Sequence, residues 1–328
     1  MQKIFPFLLL LINIIIVSCK NKTIQQETIS NTENKIERPA FSADSAYRFI
    51  EEQIIFGARI PNTPAQEKCA KYLENKLTQY GAEVVVQTTK LPVYNGQLVP
   101  CYNIIGTYNP AAKRRLLLCA HWDTRPFADR ADTEQSKPNL GVDDGASGVA
   151  VLIEIARQLQ QKQPEIGVDI MLFDVEDYGP PAWEEGKYAG RDFYGLGTQY
   201  WCKNPHIPNY SASNGILLDM VGAKNATFTY EGISMQYAPD FMKQVWNNAN
   251  LLGYSNYFIK RITNPIIDDH YYINTITSTP TIDIIYRTFE TESGFAKHWH
   301  THDDNIQNMD KNTLQAVGEV VLATVFGY

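Results

Sequence analysis

The 328-residue chain has no long basic run, and its 29 lysines and arginines are outnumbered by 36 aspartates and glutamates, a net charge of −7. That balance argues against a nucleic-acid partner. No internal repeat is evident, so the chain is not read as a stack of repeated units. The N-terminal apolar run, Ile4 to Val17, is too short to span a bilayer comfortably and is broken by Pro6 and Asn13. Cysteine is scarce, five in all, and none has zinc-finger spacing. What remains is globular material, 44% hydrophobic and 20% charged, enough for a sizeable core. Nineteen tyrosines and five tryptophans supply rings for that core and for the walls of a cleft.

The first nineteen residues read as a targeting segment. Lys3 gives a small positive start, the apolar run follows, and Ile16-Val17-Ser18-Cys19 ends it. That ending resembles the lipobox of bacterial lipoproteins, which implies Cys19 as the lipidated first residue of an exported chain. The expected location is the periplasmic face of an outer membrane, reached through the lipid alone; a plain secretory signal is the simpler alternative. Residues 20–40, KNKTIQQETISNTENKIERPA, carry no aromatic residue and few large apolar groups, so they read as a flexible tether. Export makes disulfides possible, and Cys69, Cys101, Cys119 and Cys202 allow three full pairings. Cys119 in an apolar run and Cys69 on an apolar helix face read equally well as free buried thiols.

From Phe41 onward apolar density stays high, and helix and strand patterns alternate. TPAQEKCAKYLENKLTQYG has Thr63 to cap, Pro64 at the first helical position, Cys69, Leu73 and Leu77 at four-residue steps, and Gly81 as a stop. AEVVVQTT and YNIIGTY are strand candidates. RRLLLCA, VDIMLFD and NGILLDM are continuous apolar runs, the mark of central strands covered on both faces. SGVAVLIEIARQL, APDFMKQVWNNANLLG and KNTLQAVGEVVLATVFG read as helices. The expected fold is one α/β domain over residues 41–328, a mostly parallel mixed sheet flanked by helices, with a monomer as the default state.

In open α/β sheets ligands bind beyond the carboxyl ends of the strands. There LLLCA runs into His121-Trp122-Asp123, IMLFD into Val175-Glu176-Asp177, and GILLD into Asp219. Asp143 and Asp144 precede the SGVAVLIEIARQL helix, and KHWHTHDDN supplies His298, His300 and His302. Histidines and carboxylates converging on one rim suit zinc.

In order, HWD, GVDDGASG, the Glu176-Asp177 pair, LLDMVG and HTHDDN resemble the zinc aminopeptidase and glutaminyl cyclase family, over nearly all of residues 41–328. The resemblance implies Asp144, Asp177 and His300 as ligands of one zinc and Glu176 as the proton-transfer residue. It places His121 and Asp219 where aminopeptidase members hold a second zinc bridged by Asp144, so one ion is expected and the pattern has room for two. Asp123 reads as a carboxylate orienting His121, or as part of that second position. WHTHDDN, LLDMVGA and IIDDHYYI are similar to the cyclase forms of these segments. They imply Trp299 as a pocket wall, Trp183 as a second pocket tryptophan, and Asp268 joining Asp219 and Glu176 in a proton-relaying carboxylate network. Two departures stand out: Asp177 where mammalian-type enzymes have glutamate, and Asp283, in PTIDII, where they have histidine. Asp283 is expected to anchor a pocket hydrogen bond.

The implied activity is conversion of the N-terminal glutamine of exported peptides and proteins to pyroglutamate. A two-zinc aminopeptidase is the runner-up, and a non-catalytic peptide-binding lipoprotein comes last. The plainer readings make Asp143 a cap for the helix that follows, Asp174 structural, His206 a surface loop residue, and His298 and His302 solvent-facing or outer partners.

Overall fold

Apolar runs without polar alternation need cover on both faces, and here each face has its own set of helices. The computed structural model describes residues 1–2 and 37–328. Cys19, the apolar run and the tether up to residue 36 lie outside the described residues. In chain order the elements are α1 (Ala43–Ile54), α2 (Pro64–Gln79), β1 (Glu83–Pro92), β2 (Leu98–Tyr108), β3 (Arg115–His121), α3 (Ala146–Gln161), β4 (Gly167–Phe173) and α4 (Leu196–Lys203). Then follow β5 (Asn214–Asp219), β6 (Phe228–Tyr230), α5 (Gly232–Tyr237), α6 (Pro239–Leu251), β7 (Phe258–Ile262), α7 (Asp269–Ile276), β8 (Thr281–Ile285) and α8 (Lys311–Gly327).

Six strands form the main sheet in the order β1-β2-β4-β3-β5-β8, and β6 and β7 pair separately. β4, β3, β5 and β8 run parallel, while β2 lies antiparallel to β4 and β1 antiparallel to β2. Side chains alternate across this sheet with period two. Leu116, Leu118, Ala120, Ile170, Leu172, Ile216 and Leu218 join the core with α1, α2, α3 and α8. Leu117, Cys119, Met171, Phe173 and Leu217 form a second core with Trp201 of α4 and Ile273 of α7. Both alternating sets are buried, which is why these strands read as unbroken apolar runs.

Thr63 caps α2, its hydroxyl accepting the Gln66 amide at 3.3 Å, with Pro64 in the first turn and Gly81 at φ +84° beyond the end. α3 is buried around most of its circumference because sheet, α1 and α8 all press on it. It approaches β5 at backbone contact: a Cβ on Gly148 would lie 2.2 Å from the Leu218 carbonyl oxygen. That closeness brings the loop before α3 over the strand ends. Contacts to the domain are made by residues before Phe41 as well: Arg38 pairs with Glu319, and Lys162 Nζ donates to the Glu37 carbonyl at 2.8 Å.

The four cysteines among the described residues are free thiols, Cys69, Cys101 and Cys119 fully buried and Cys202 partly so. Burial pushes the Cys69 thiol up to about 12, and the Cys101 and Cys119 thiols well above their ordinary range. No helix among the described residues is long and apolar enough to cross a membrane.

Candidate active site

The chain leaves central β3 for β4 on one side and returns to β5 on the other, so a crevice opens at the carboxyl ends of these strands. His121 is the last residue of β3 and Asp219 the last of β5. Glu176 and Asp177 follow β4, Asp144 precedes α3, His300 lies between β8 and α8, and Asp268 is the residue before α7.

Two triads meet there, Asp144–Asp177–His300 and His121–Asp144–Asp219, with Asp144 common to both. His300 Nε2 lies 3.4 Å from Asp177 Oδ2 and 3.5 Å from Asp144 Oδ2. His121 Nε2 lies 3.0 Å from Asp144 Oδ1 and 3.3 Å from Asp219 Oδ1. Ligands about 2.0–2.2 Å from a tetrahedral ion are separated by roughly 3.3 Å, so these edges fit zinc. Asp177 Oδ2, Asp219 Oδ1 and both His121 ring nitrogens are buried without a hydrogen-bond partner. Burial alone would lower the imidazole pKa values, yet both are raised. Asp123, Asp144 and Asp219 hold His121 well above the ordinary range, and Asp177 with Asp129 raises His300. Such a site draws in positive charge, as protons or as a metal.

Backbone conformation aims these groups. Val175, Met220 and His300 adopt φ of 56°, 48° and 54°, each beside or at a site residue. A β-branched residue in this region is strained, at a cost on the order of 1–3 kcal/mol. Val175 is held by full burial among Val93, Val99 and Cys101. Asp123 steadies the turn: its carboxylate accepts the Glu176 amide at 3.0 Å and the Asp177 amide at 3.2 Å, and stands 3.5 Å from His121 Nδ1. Gly145, at φ +102°, lets the next loop close on His121, whose ring carbon Cε1 would be 2.9 Å from any Cβ.

Asp143 is no helix cap. Its carboxylate accepts the Gly222 amide at 2.9 Å and meets His298 Nε2 at 2.9 Å, tying three loops together. Gly145 occupies the cap position of α3 without a side-chain bond. His298 is accordingly buried, His302 exposed, and His206 half-buried where it accepts the Trp201 indole N–H at 3.2 Å. Asp174 is structural, accepting from Gln66 Nε2 at 2.7 Å and the Tyr102 amide at 2.8 Å. Asp304 accepts the Asp143 and Asp144 amides, and burial beside those two acids pushes it up to about 7.

Arg125 and Asp129 went unnoticed in the sequence. Arg125 grips Asp129 with two bonds of 3.0 and 2.6 Å and donates to Asp177 Oδ1 at 3.0 Å, while Asp129 Oδ1 stands 3.4 Å from His300 Nδ1. The spacing Arg125-x-x-x-Asp129 was the available signal, but nothing in a linear sequence attaches it to Asp177 or His300.

A cleft of about 540 Å³ opens onto these groups, lined by Asp144, Glu176, Asp177, Asp219, Asp268 and His300 together with Tyr271, Ile285 and Trp299. Trp299 stacks on His300, ring centres 3.9 Å apart, and lies tilted against Phe295 at 4.6 Å. Half-buried Glu176 is held well above the ordinary carboxyl range by burial, with the Asp177, Asp268 and Asp269 charges adding and His121 opposing. Burial likewise raises Asp219, with Asp144 and Asp268 reinforcing it, and burial raises Asp268.

Two residues expected at the substrate lie elsewhere. Trp183 is 49% exposed and packs edge-on against Phe127, outside the cleft lining. Asp283 is fully buried in β8, opposite Leu217 and so on the α7 side of the sheet, where His270 Nδ1 stands 3.7 Å from its Oδ2. His270 Nε2 meets Glu231 Oε2 at 2.9 Å, and Glu231 also accepts the Ile233, Ser234 and Ile266 amides. Although burial opposes it, the His270 bond and the Ser234 and Ile233 amides lower Glu231 from 4.5 to about 2. A lowered carboxyl stabilises the fold above about pH 4.5 and loses that contribution as pH falls toward 2. Glu231→Gln is therefore expected to destabilise the fold by roughly 1–3 kcal/mol at neutral pH, the range for losing charged hydrogen bonds at a buried site. Urea denaturation at pH 7 and pH 3 checks this: the gap between parent and variant should narrow at the lower pH.

The sequence pattern of Peptidase family M28 matches residues 103–325. A solved structure of Tannerella forsythia glutaminyl cyclase is 49% identical, covering 88% of this chain and 100% of that one at a TM-score of 0.86. A leucine aminopeptidase precursor from Bacteroides thetaiotaomicron is 46% identical, covering 89% and 99% at a TM-score of 0.84. The glutaminyl-peptide cyclotransferase of Bothrops jararaca is 25% identical over 301 residues, 82% of this chain and 77% of that one.

Proposed function

The chain belongs to peptidase family M28, and we propose that within it the protein is a glutaminyl-peptide cyclotransferase, closing the N-terminal glutamine of peptides and proteins to pyroglutamate with release of ammonia. The observation that carries this reading is one cleft in which Glu176, Asp219 and Asp268 stand beside the Asp144–Asp177–His300 group under the Trp299 ring.

In the reaction the α-amino nitrogen attacks the γ-carboxamide carbon, a C–N bond forms, the C–NH2 bond breaks, and one proton moves from the attacking to the leaving nitrogen. Both reacting groups belong to one residue, so proximity comes with the substrate and no water nucleophile is needed. Asp144, Asp177 through Oδ2 and His300 through Nε2 would hold one zinc. When bound, that ion supplies Lewis-acid polarisation of the γ-carbonyl. Glu176 takes the proton from the amine and returns it to the departing ammonia. Its raised affinity for a proton suits both halves of that transfer. Asp219 and Asp268 hold the charge balance around Glu176, and Trp299 with Ile285 walls the glutamine side chain from water.

A two-zinc aminopeptidase is the second reading, favoured by the convergence of His121, Asp144 and Asp219 on a further metal position. Mass spectrometry of a glutamine-initiated dipeptide after incubation separates the two. Loss of one ammonia with a blocked N-terminus is expected, and release of free glutamine would overturn the cyclase reading. We also propose export and lipid attachment at Cys19, supported by the Ile16-Val17-Ser18-Cys19 run.

A further inference from the structure

Asp177 has one carboxylate oxygen in use and one free. Oδ1 accepts from Arg125 Nη1 at 3.0 Å, while Oδ2 is buried, without a partner, and 3.4 Å from His300 Nε2. Arg125 is itself fully buried and forked onto Asp129, whose Oδ1 reaches back to His300 Nδ1 at 3.4 Å. The four side chains run Asp177–Arg125–Asp129–His300 in an almost closed ring. Its one gap, between Asp177 Oδ2 and His300 Nε2, is where a metal held by those two atoms would sit.

We propose that Arg125 is a positioning residue that confines Asp177 to one-oxygen ligation of the metal, and that through Asp129 it fixes His300 with Nε2 turned to the same ion. Three physical points carry this. A guanidinium presents a rigid fork that can hold two carboxylates in fixed directions, which an ammonium cannot. The Arg125 cation beside Oδ1 repels a second cation there and fixes the plane of the carboxylate, so Asp177 presents Oδ2 end-on to the metal. A carboxylate on the far nitrogen of a ligand imidazole sets its tautomer and raises its basicity. Arg125 also donates to the Asp177 and Pro180 carbonyls at 3.3 and 3.0 Å, and Asp129 accepts the Ala182 amide at 2.9 Å. The same ring therefore anchors the segment that leads to Tyr194 on the cleft wall.

The inference rests on the assignment of the metal to Asp144, Asp177 and His300, and holds for either reaction. Its test is metal binding by the full chain. Zinc affinity is measured by chelator competition, and the visible absorption of the cobalt(II)-loaded protein reports coordination number. Arg125→Met is expected to weaken zinc by roughly 10–100-fold, the usual size of an outer-partner loss. With Asp177 free to bind through both oxygens, the cobalt band should also lose intensity. Arg125→Lys should recover part of the affinity. Asp129→Asn, nearly isosteric, is the second variant should the methionine variant fail to fold, with an expected loss of about tenfold. A merely structural ring would lower melting temperature and leave the zinc affinity of folded protein alone. Affinity within twofold of the parent together with an unchanged cobalt spectrum, in either folded variant, overturns the proposal. Absence of zinc binding by the parent overturns the metal assignment itself.

Discussion

Replacing Glu176 by glutamine is expected to lower kcat by a factor on the order of 10³, the usual range for removing a positioned proton carrier. The amide keeps the size and reach of the side chain but cannot accept a proton from an attacking amine. Glu176 belongs to neither ligand triad, so zinc content should match the parent. KM should change little, because the substrate contacts the same walls. The check is ammonia release measured beside metal content on one sample. A variant retaining a tenth of parental kcat would remove Glu176 from the role assigned to it.

His300→Ala is expected to lose both zinc and turnover. Removing a ligand should weaken zinc by more than about 100-fold, since even outer partners of a metal-bound imidazole are worth roughly 10–100-fold. The variant also strips Trp299 of the ring it stacks on, so the cleft wall loosens. His121→Ala provides the contrast. With one zinc on Asp144, Asp177 and His300, this variant stays close to one equivalent of metal. With two zincs it falls from two equivalents toward one. Plasma emission analysis of parent, His121→Ala and His300→Ala reads the difference directly, and a His300→Ala protein still holding a full equivalent would move the metal elsewhere.

The parts of the fold legible in the sequence were those whose physics is local. Thr63, Pro64 and Gly81 mark α2 because caps act within a turn, and the apolar runs mark β3, β4 and β5 because both faces of each are covered. β8 was not legible as a strand: Asp283 sits at the middle of its five residues, and a buried acid there breaks the apolar run that marks β3, β4 and β5. Of the candidate site, Asp144, Glu176, Asp177 and Asp219 were legible because they follow strands or precede a helix, whereas His300 lies in the loop between β8 and α8 and showed only through the KHWHTHDDN run. The supports of the site were not legible. Arg125 acts on Asp177, Asp129 on His300, Glu231 on Ile266 and Asp304 on Asp143, partners 35 to 171 positions away, distances that no pattern of neighbours encodes. Asp143 misled for the same reason: its position before a helix suggested a cap, and its partners proved to be Gly222 and His298.

The four unpaired thiols among the described residues bear on how the protein meets oxidants. No disulfide joins them, so the packing of the described residues rests on buried apolar surface and hydrogen bonds rather than on a cross-link. Cys69, Cys101 and Cys119 are sealed in apolar surroundings that suppress the thiolate, the form that attacks disulfides and peroxides. Slow reaction of these three thiols with a disulfide reagent in the folded protein, and fast reaction once it is unfolded, is the behaviour such burial dictates.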